Sequence, residues 1–237
     1  MSDSIVTMPG GGISRRPLHF FILADCSGSM KADGRMQALN YAIASMLPQL
    51  AAWEREQEQA QVLIRAIAFA DEATWHIGEP VPVAGLRWRP LRHVEKGLTH
   101  MGAAFRLVAS ALQPGRLESR SLRPAILLIT DGRPTEPAEF DDGLRVLFAT
   151  PAGRGAIRLA VAIGRAADSE YLSRFIDDPA VPVLVADGTE QITLRLKAAS
   201  IAMSRLSEVG ADHDDIAARL MTSPRAASRA PGEDTIV

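Results

Sequence analysis

The chain has 237 residues, of which 47% are hydrophobic, and its formal net charge at pH 7 is -2. This length and composition fit one α/β domain with tails, or at most two small domains, with enough apolar residues for a core. The near-neutral charge and the aromatic content of 5% argue against a nucleic-acid or anionic membrane surface as partner. The single cysteine, Cys26, excludes an internal disulfide.

The two ends of the sequence differ from its middle. Residues 1–16 are polar and glycine-rich and are predicted to form a flexible arm. They carry no charged region followed by an apolar one, and no stretch of the chain is apolar enough to span a bilayer. We therefore expect a cytoplasmic protein. Beyond Glu208 the periodicity ends, and residues 208–237 are predicted to form a disordered tail.

Between the ends, apolar runs alternate with segments of helical periodicity. The predicted strands are Leu18–Ala24, Val62–Phe69, Ala73–Ile77, Pro124–Thr130, Ala156–Ile163 and Val181–Val185. The predicted helices are Arg35–Glu58, Ala103–Leu112, Glu139–Ala149, Ser169–Ile176 and a last helix that runs from a Thr189 cap to Leu206. This alternation predicts an α/β fold: a doubly wound, mostly parallel six-stranded sheet with helices on both faces. The hairpin from the second strand to the third predicts one antiparallel strand at an edge.

Three local features qualify this outline. Pro48 lies inside the first predicted helix and should kink or split it. Pro80 and Pro82 predict a loop after the third strand. Thr99 is a good residue type to cap the second helix.

Polar residues follow the first strand directly. Asp25, Ser27 and Ser29 alternate along the chain, so in extended backbone their oxygens could converge on one point. Oxygen ligands alone suit a hard cation such as Mg²⁺. Thr99 and Asp131 lie in two further loops. If the sheet order reverses between the first strand and the Pro124–Thr130 strand, all three loops face one crevice.

The stretch Asp25-Cys26-Ser27-Gly28-Ser29 resembles the D-x-S-x-S motif of von Willebrand factor A domains. In that family the motif, a threonine of a second loop and an aspartate of a third build a metal-ion-dependent adhesion site. Thr99 matches the threonine and Asp131 matches the aspartate, and the resemblance covers residues 17–207. The second loop departs from the pattern, because Leu98 stands where relatives often have a second glycine.

The resemblance implies a division of roles among these five residues. Ser27, Ser29 and Thr99 would bind the ion directly or nearly so. Asp25 and Asp131 would act mainly through water or as acceptors around the ion, and they would orient the hydroxyls. One position of the ion would stay open for a carboxylate that a partner supplies. The ion would be Mg²⁺, with Mn²⁺ or Ca²⁺ as alternatives.

The function implied is that of a non-catalytic binding module for a protein partner, with His100 and Arg133 beside the docking point. The segment Leu128-Ile-Thr-Asp-Gly-Arg-Pro-Thr135 is most similar to bacterial stand-alone members of the family associated with tellurite resistance. That similarity implies an adaptor in a stress-response or phospho-signalling assembly, with a Ser/Thr kinase or phosphatase as a possible partner. No nucleic-acid or membrane partner is implied.

Two alternatives for the same residues are an enzyme and a dinucleotide-binding sheet. Asp25 after a buried strand is compatible with a Mg²⁺-dependent phosphoryl-transfer enzyme or hydrolase that uses it as nucleophile. Against this, Ser27 stands where a second aspartate would be expected. A dinucleotide-binding sheet is disfavoured because no G-x-G-x-x-G follows the first strand.

Cys26 is interpreted as a small core residue that points away from the metal.

Overall fold

The computed structural model describes residues 15–57, 59–164 and 169–207. These residues form one sheet with the strand order β3-β2-β1-β4-β5-β6. All neighbouring strands are parallel except β2 and β3, which are antiparallel. The strands are β1 (Arg16–Asp25), β2 (Ala60–Phe69), β3 (Ala73–Pro82), β4 (Ala125–Thr130), β5 (Ile157–Ile163) and β6 (Leu184–Ala186). The predicted six-stranded sheet with one antiparallel edge strand is confirmed.

Helices flank the sheet in two groups. They are α1 (Arg35–Glu56), α2 (Met101–Ala111), α3 (Pro137–Ala149), α4 (Pro151–Arg154), α5 (Ser169–Ile176) and α6 (Gly188–Leu206), and a 3₁₀ segment, Gly28–Gly34, precedes α1. Helix α1 packs on α6, and α2 packs on α3. Phe105 of α2 stacks on Phe175 of α5 and meets Phe140 of α3 edge to face. The sheet therefore has helices α1 and α6 in one layer and α2, α3 and α5 in the other.

The centre of the sheet forms the core. Every residue of β4 and β5 is buried, and β1 is buried from Leu18 to Asp25. Parallel strands that are covered on both faces need apolar side chains on both faces, which explains their continuous apolar runs. The runs were predicted as strands for this reason.

The strand order reverses at β1. From β1 the chain crosses to β2 on one side, and β4 lies on the other side. Right-handed crossovers that run in opposite directions place their helices on opposite faces and leave a crevice at the carboxyl ends of the two central strands. Asp25 ends β1 and Thr130 ends β4. The expected reversal therefore exists, and it lies where the polar loops begin.

Helix α1 is not split at Pro48. It runs unbroken from Arg35 to Glu56 with Pro48 inside it, so of the two predicted effects, a kink or a split, the split does not occur. Pro48 and Ala44, whose carbonyl loses its usual amide partner, are both exposed, so water can satisfy that carbonyl. The buried Leu47 and Leu50 hold the helix on the core on both sides of the proline.

Strand β3 continues further than the sequence predicts. It includes Pro80 and Pro82, for which the sequence predicts a loop, and Pro82 is paired with Leu63. The pairing with β2 has register shifts on either side of Ala66. Proline is tolerated here because β3 is an edge strand, where one side of the backbone needs no partner.

Several element boundaries also differ from the prediction. Strand β6 is Leu184–Ala186 rather than Val181–Val185, because the N–H of Val181 donates to the carbonyl of Asp178 in a turn. Thr189 lies inside α6 and does not cap it, since the cap position is Asp187. Arg16, which the sequence places in the predicted arm, begins β1.

The rest of the arm up to residue 14 and the predicted tail 208–237 lie outside the described residues. Within the described part of the chain, no helix combines the length and apolarity that a membrane crossing requires.

Candidate metal centre

Backbone hydrogen bonds tie the three polar loops to one another. The N–H of Gly28 in the first loop donates to the carbonyl of Gly97 in the second at 3.0 Å. The N–H of Thr135 in the third loop donates to the carbonyl of Thr99 in the second at 3.2 Å. These hydrogen bonds hold the three loops together at the reversal point.

A chain of hydroxyl groups joins the first loop to the third. The Ser27 and Ser29 hydroxyl oxygens lie 3.0 Å apart, and Ser29 donates to Asp131 Oδ1 at 2.7 Å. A hydroxyl has one proton to donate, so Ser27 is the donor to Ser29. Ser29 lies in the 3₁₀ segment, so the expected extended backbone ends at Ser27. The hydroxyl oxygens of Ser27 and Ser29 nevertheless lie close together.

Both carboxylate oxygens of Asp25 are engaged by the protein. Oδ1 accepts the N–H of Ser27 at 2.8 Å, and Oδ2 accepts the hydroxyl of Thr130 at 2.5 Å. Asp25 is fully buried. Burial raises its pKa to about 6, the charge of Asp131 adds to the rise, and the hydrogen bonds from Ser27 and Thr130 oppose it. The buried site thus holds two carboxylates whose charge a nearby cation would stabilise.

Thr99 is placed at the site but is not the helix cap. The cap position of α2 is His100, and α2 begins at Met101, so the predicted capping role is wrong. Thr99 is 7% exposed, and its hydroxyl oxygen lies 3.9 Å from the point where a Cβ on Gly132 would stand. The hydroxyl therefore faces the third loop, next to Asp131.

The other predicted residues are placed around this group. Arg133 is exposed. His100 is half-buried, and its buried Nε2 has no hydrogen-bond partner among the described residues. Cys26 is buried, and burial raises the pKa of its thiol to about 12. The cysteine is consequently a protonated residue of the core at neutral pH, as interpreted from the sequence.

Two site residues were not predicted from the sequence. The first is Thr130, which orients Asp25. The second is Arg35, whose Nη1 donates to Asp131 Oδ2 at 2.7 Å. Arg35 is the first residue of α1, where the helix dipole disfavours a positive charge. An arginine at the predicted start of a helix is the one feature of the sequence that could have drawn attention to Arg35.

The donor set fits a hard divalent cation. It consists of the Ser27, Ser29 and Thr99 hydroxyls and the Asp25 and Asp131 carboxylates, all of them oxygen donors of the kind that Mg²⁺ prefers. In the described ranges no group of three or more His, Cys, Asp or Glu side chains is placed to hold a metal ion. An ion at this crevice would therefore depend on the hydroxyls.

Replacing Thr130 with valine tests the support of Asp25. The change keeps the shape of the side chain but removes the hydroxyl that donates to Asp25 Oδ2. We expect the unfolding free energy to fall by about 1–3 kcal/mol and Mg²⁺ affinity to fall about tenfold. Urea denaturation and calorimetric titration measure the two effects. Thr74→Val in the edge strand, where Thr74 is exposed, is the matched control, and equal effects of the two variants would contradict the role of Thr130.

Comparison with known proteins gives matches only at the level of structure. No protein-family model matches the sequence, and a search of curated proteins gave no match. A von Willebrand factor type A protein from Catenulispora acidiphila is similar with a TM-score of 0.58 and 18% identity, over 80% of this chain and 43% of that chain. The conserved hypothetical protein BatB from Bacteroides thetaiotaomicron has a TM-score of 0.54 and 14% identity, over 79% of this chain and 99% of that chain.

A third similar structure is proximal thread matrix protein 1 from the mussel byssus, described with a zinc-occupied MIDAS motif. Its TM-score is 0.57 at 14% identity, over 81% of this chain and 46% of that chain. The present chain thus spans less than half of the Catenulispora and mussel proteins. At these identities the likeness establishes the fold alone: the chain has the α/β fold of von Willebrand factor A domain proteins.

Proposed function

We propose that the protein is a non-catalytic, metal-dependent binding module. A divalent ion, Mg²⁺ in the first place and Mn²⁺ or Ca²⁺ as alternatives, would be held by Ser27, Ser29 and Thr99, with Asp25 and Asp131 orienting them. The ion would supply a Lewis-acidic position at which a carboxylate of a protein partner docks. The observation that carries the proposal is the continuous contact from Ser27 through Ser29 to Asp131 across two loops.

The exposure of the residues supports docking from one side. Asp25, Ser27 and Asp131 are at most 1% exposed, whereas Ser29 is exposed. A ligand from solvent would therefore meet the site on the Ser29 side. Arg133 is exposed in the third loop and could add a favourable charge for an acidic partner, and His100 borders Thr99. The zinc-occupied motif of the mussel protein of the same fold supports a divalent ion as the group that is bound.

The geometry disfavours the enzymatic alternative. A nucleophilic carboxylate needs an oxygen that can reach the substrate. Asp25 is fully buried and each of its oxygens already accepts a hydrogen bond. This arrangement suits a residue that orients its neighbours. A panel of phosphate esters tests the alternative, and metal-dependent turnover that Asp25→Asn removes would replace the binding proposal.

We expect partner binding to require the metal. Affinity purification from cells with Mg²⁺ in the buffer should capture a protein partner, and the same purification in EDTA should lose it. Ser29→Ala removes one hydroxyl at the exposed end of the site and should reduce capture about tenfold or more. Ser110→Ala, on α2 away from the loops, is the control. A complex that persists in EDTA would contradict the proposal.

The identity of the captured partner tests the finer assignment. We propose an adaptor in a bacterial stress-response assembly of the tellurite-resistance type or in a phospho-signalling assembly, in the cytoplasm, with a Ser/Thr kinase or phosphatase as partner. This assignment rests on the motif resemblance alone. Mass spectrometry of the Mg²⁺-dependent fraction is the test, and a partner from neither class would remove it while leaving the binding proposal intact.

A further inference from the structure

Arg35 is a cation built into the candidate metal centre. Its Nη1 lies 2.7 Å from Asp131 Oδ2, while Asp131 Oδ1 accepts the Ser29 hydroxyl. The Asp131 side chain is fully buried, and the Arg35 side chain is 25% exposed. Its other terminal nitrogen is 3.7 Å from Asp33, whose side chain is 87% exposed and therefore strongly screened by water. The close and well-formed ion pair of Arg35 is the one with Asp131.

We propose that Arg35 sets the charge of the site. Its positive charge makes the metal-bound centre attract an anion and makes metal binding weaker than it would be without Arg35. The proposal rests on the binding function proposed above. Two carboxylates, Asp25 and Asp131, cancel the formal charge of a divalent ion. Without Arg35 the loaded centre would be neutral. With Arg35 it carries one net positive charge, which favours a carboxylate from solvent.

The same charge opposes the metal. Arg35 and the ion share Asp131 as a partner, and two positive charges on one buried carboxylate repel each other across a poorly screened site. Arg35 also compensates the Asp131 charge before any ion is bound, because it already occupies one oxygen. Removal of its charge should therefore change metal affinity and anion affinity in opposite directions. A merely structural residue would weaken both.

The test uses Arg35→Gln and Arg35→Lys in the full chain. Gln is neutral and keeps hydrogen-bonding groups, whereas Lys keeps the charge. Circular dichroism first establishes that the variants are folded, and calorimetric titration then gives the Mn²⁺ dissociation constant. We expect Arg35→Gln to bind Mn²⁺ about tenfold more tightly than the original chain and Arg35→Lys to stay within about threefold.

Acetate is the probe for the anion. Line broadening of its methyl proton signal by protein-bound Mn²⁺ reports a carboxylate close to the ion. At saturating Mn²⁺, Arg35→Gln should bind acetate about fivefold or more weakly, while Arg35→Lys retains most of the affinity. Arg145→Gln removes an equal charge from α3, where Arg145 is exposed and pairs with Asp142, and should leave both affinities unchanged.

The outcomes separate this proposal from the proposed function. If the original chain does not bind Mn²⁺, the proposed function is wrong, and the role proposed for Arg35 is overturned with it. If the original chain binds Mn²⁺ but Arg35→Gln binds it equally or more weakly, the metal-binding part of the proposed function stands and the charge-setting role of Arg35 is overturned. An acetate affinity unchanged in Arg35→Gln would overturn it as well.

Discussion

Replacement of Asp25 with alanine is expected to abolish binding of both the metal and the partner. The carboxylate of Asp25 accepts a hydrogen bond from the backbone N–H of Ser27 and another from the hydroxyl of Thr130 at the end of β4. The alanine variant loses both anchors and one of the two negative charges of the site. Loss of an acceptor that orients metal ligands costs about 10- to 100-fold in affinity, and the lost charge adds to that cost. Calorimetric titration with Mg²⁺ measures the effect, and an unchanged affinity would refute the assignment of the site.

Asp25→Asn is the control that separates charge from shape. The asparagine has the same outline and its carbonyl oxygen can still accept one hydrogen bond. Burial raises the pKa of Asp25 to about 6 from 3.8, so the folded protein disfavours the ionised carboxylate by up to about 3 kcal/mol at neutral pH. The asparagine variant should therefore be as stable as the original chain without metal, or more stable, and yet bind Mg²⁺ poorly.

The Asp25→Asn variant also tests how the free energy of unfolding changes with pH. The raised pKa of Asp25 means that its contribution to stability is complete below about pH 4 and is lost as the pH rises through about 6. In EDTA the stability difference between Asp25→Asn and the original chain should consequently be widest above pH 6 and smallest near pH 4. Urea denaturation across this range measures it, and a difference that does not change with pH would mean that Asp25 is not buried as an ionised group.

The second large effect is expected at the contact between α2 and α3. A Cβ on Gly102 would lie 2.1 Å from the carbonyl oxygen of Glu139, and a Cβ on Gly143 would lie 2.4 Å from the Cα of Gly102. Both obstacles are backbone atoms, which a rotamer change cannot move. Gly102→Ala and Gly143→Ala should each cost about 3 kcal/mol or more, at or above the upper end of usual overpacking costs.

This helix contact also has a consequence for the site. Helix α2 begins two residues after Thr99, and α3 follows the loop that carries Asp131. A wider spacing of the helices would separate these two side chains, so metal affinity should fall together with stability. Gly155→Ala is the matched control, because its nearest obstacle is a carbonyl oxygen at 3.4 Å, an ordinary contact. Urea denaturation in which Gly143→Ala is as stable as Gly155→Ala would contradict the packing argument.

Structural features could be predicted from the sequence where a single physical requirement determined which residues are present. The run that became β4 could be recognised because a parallel strand covered on both faces leaves no polar positions. Asp25 and Asp131 could be brought together because the carboxyl ends of neighbouring parallel strands lie at one edge. Local chemistry was a weaker guide at Pro48, where α1 is not split because packing of the residues around the proline outweighs its local effect.

The rest of the site depends on contacts between distant residues. Arg35 and Asp131 are 96 positions apart, and Thr130 and Asp25 are 105 positions apart. No local pattern connects such pairs, and Thr130 ends a strand whose other residues are all apolar. Thr99 was predicted both as a site residue and as a helix cap, because threonine is suited to both positions, and the structure contradicts only the cap. In the structure α2 begins two residues after Thr99, and the Thr99 hydroxyl faces the third loop.

Anomalous diffraction from crystals of the protein grown with Mn²⁺ would locate a bound ion directly. We expect one strong anomalous peak in the crevice between β1 and β4, within coordination distance of the Ser27 and Ser29 hydroxyl oxygens and next to Thr99 and Asp131. A crystal in Mn²⁺ without a peak among these residues, or with its strongest peak elsewhere on the molecule, would contradict this expectation.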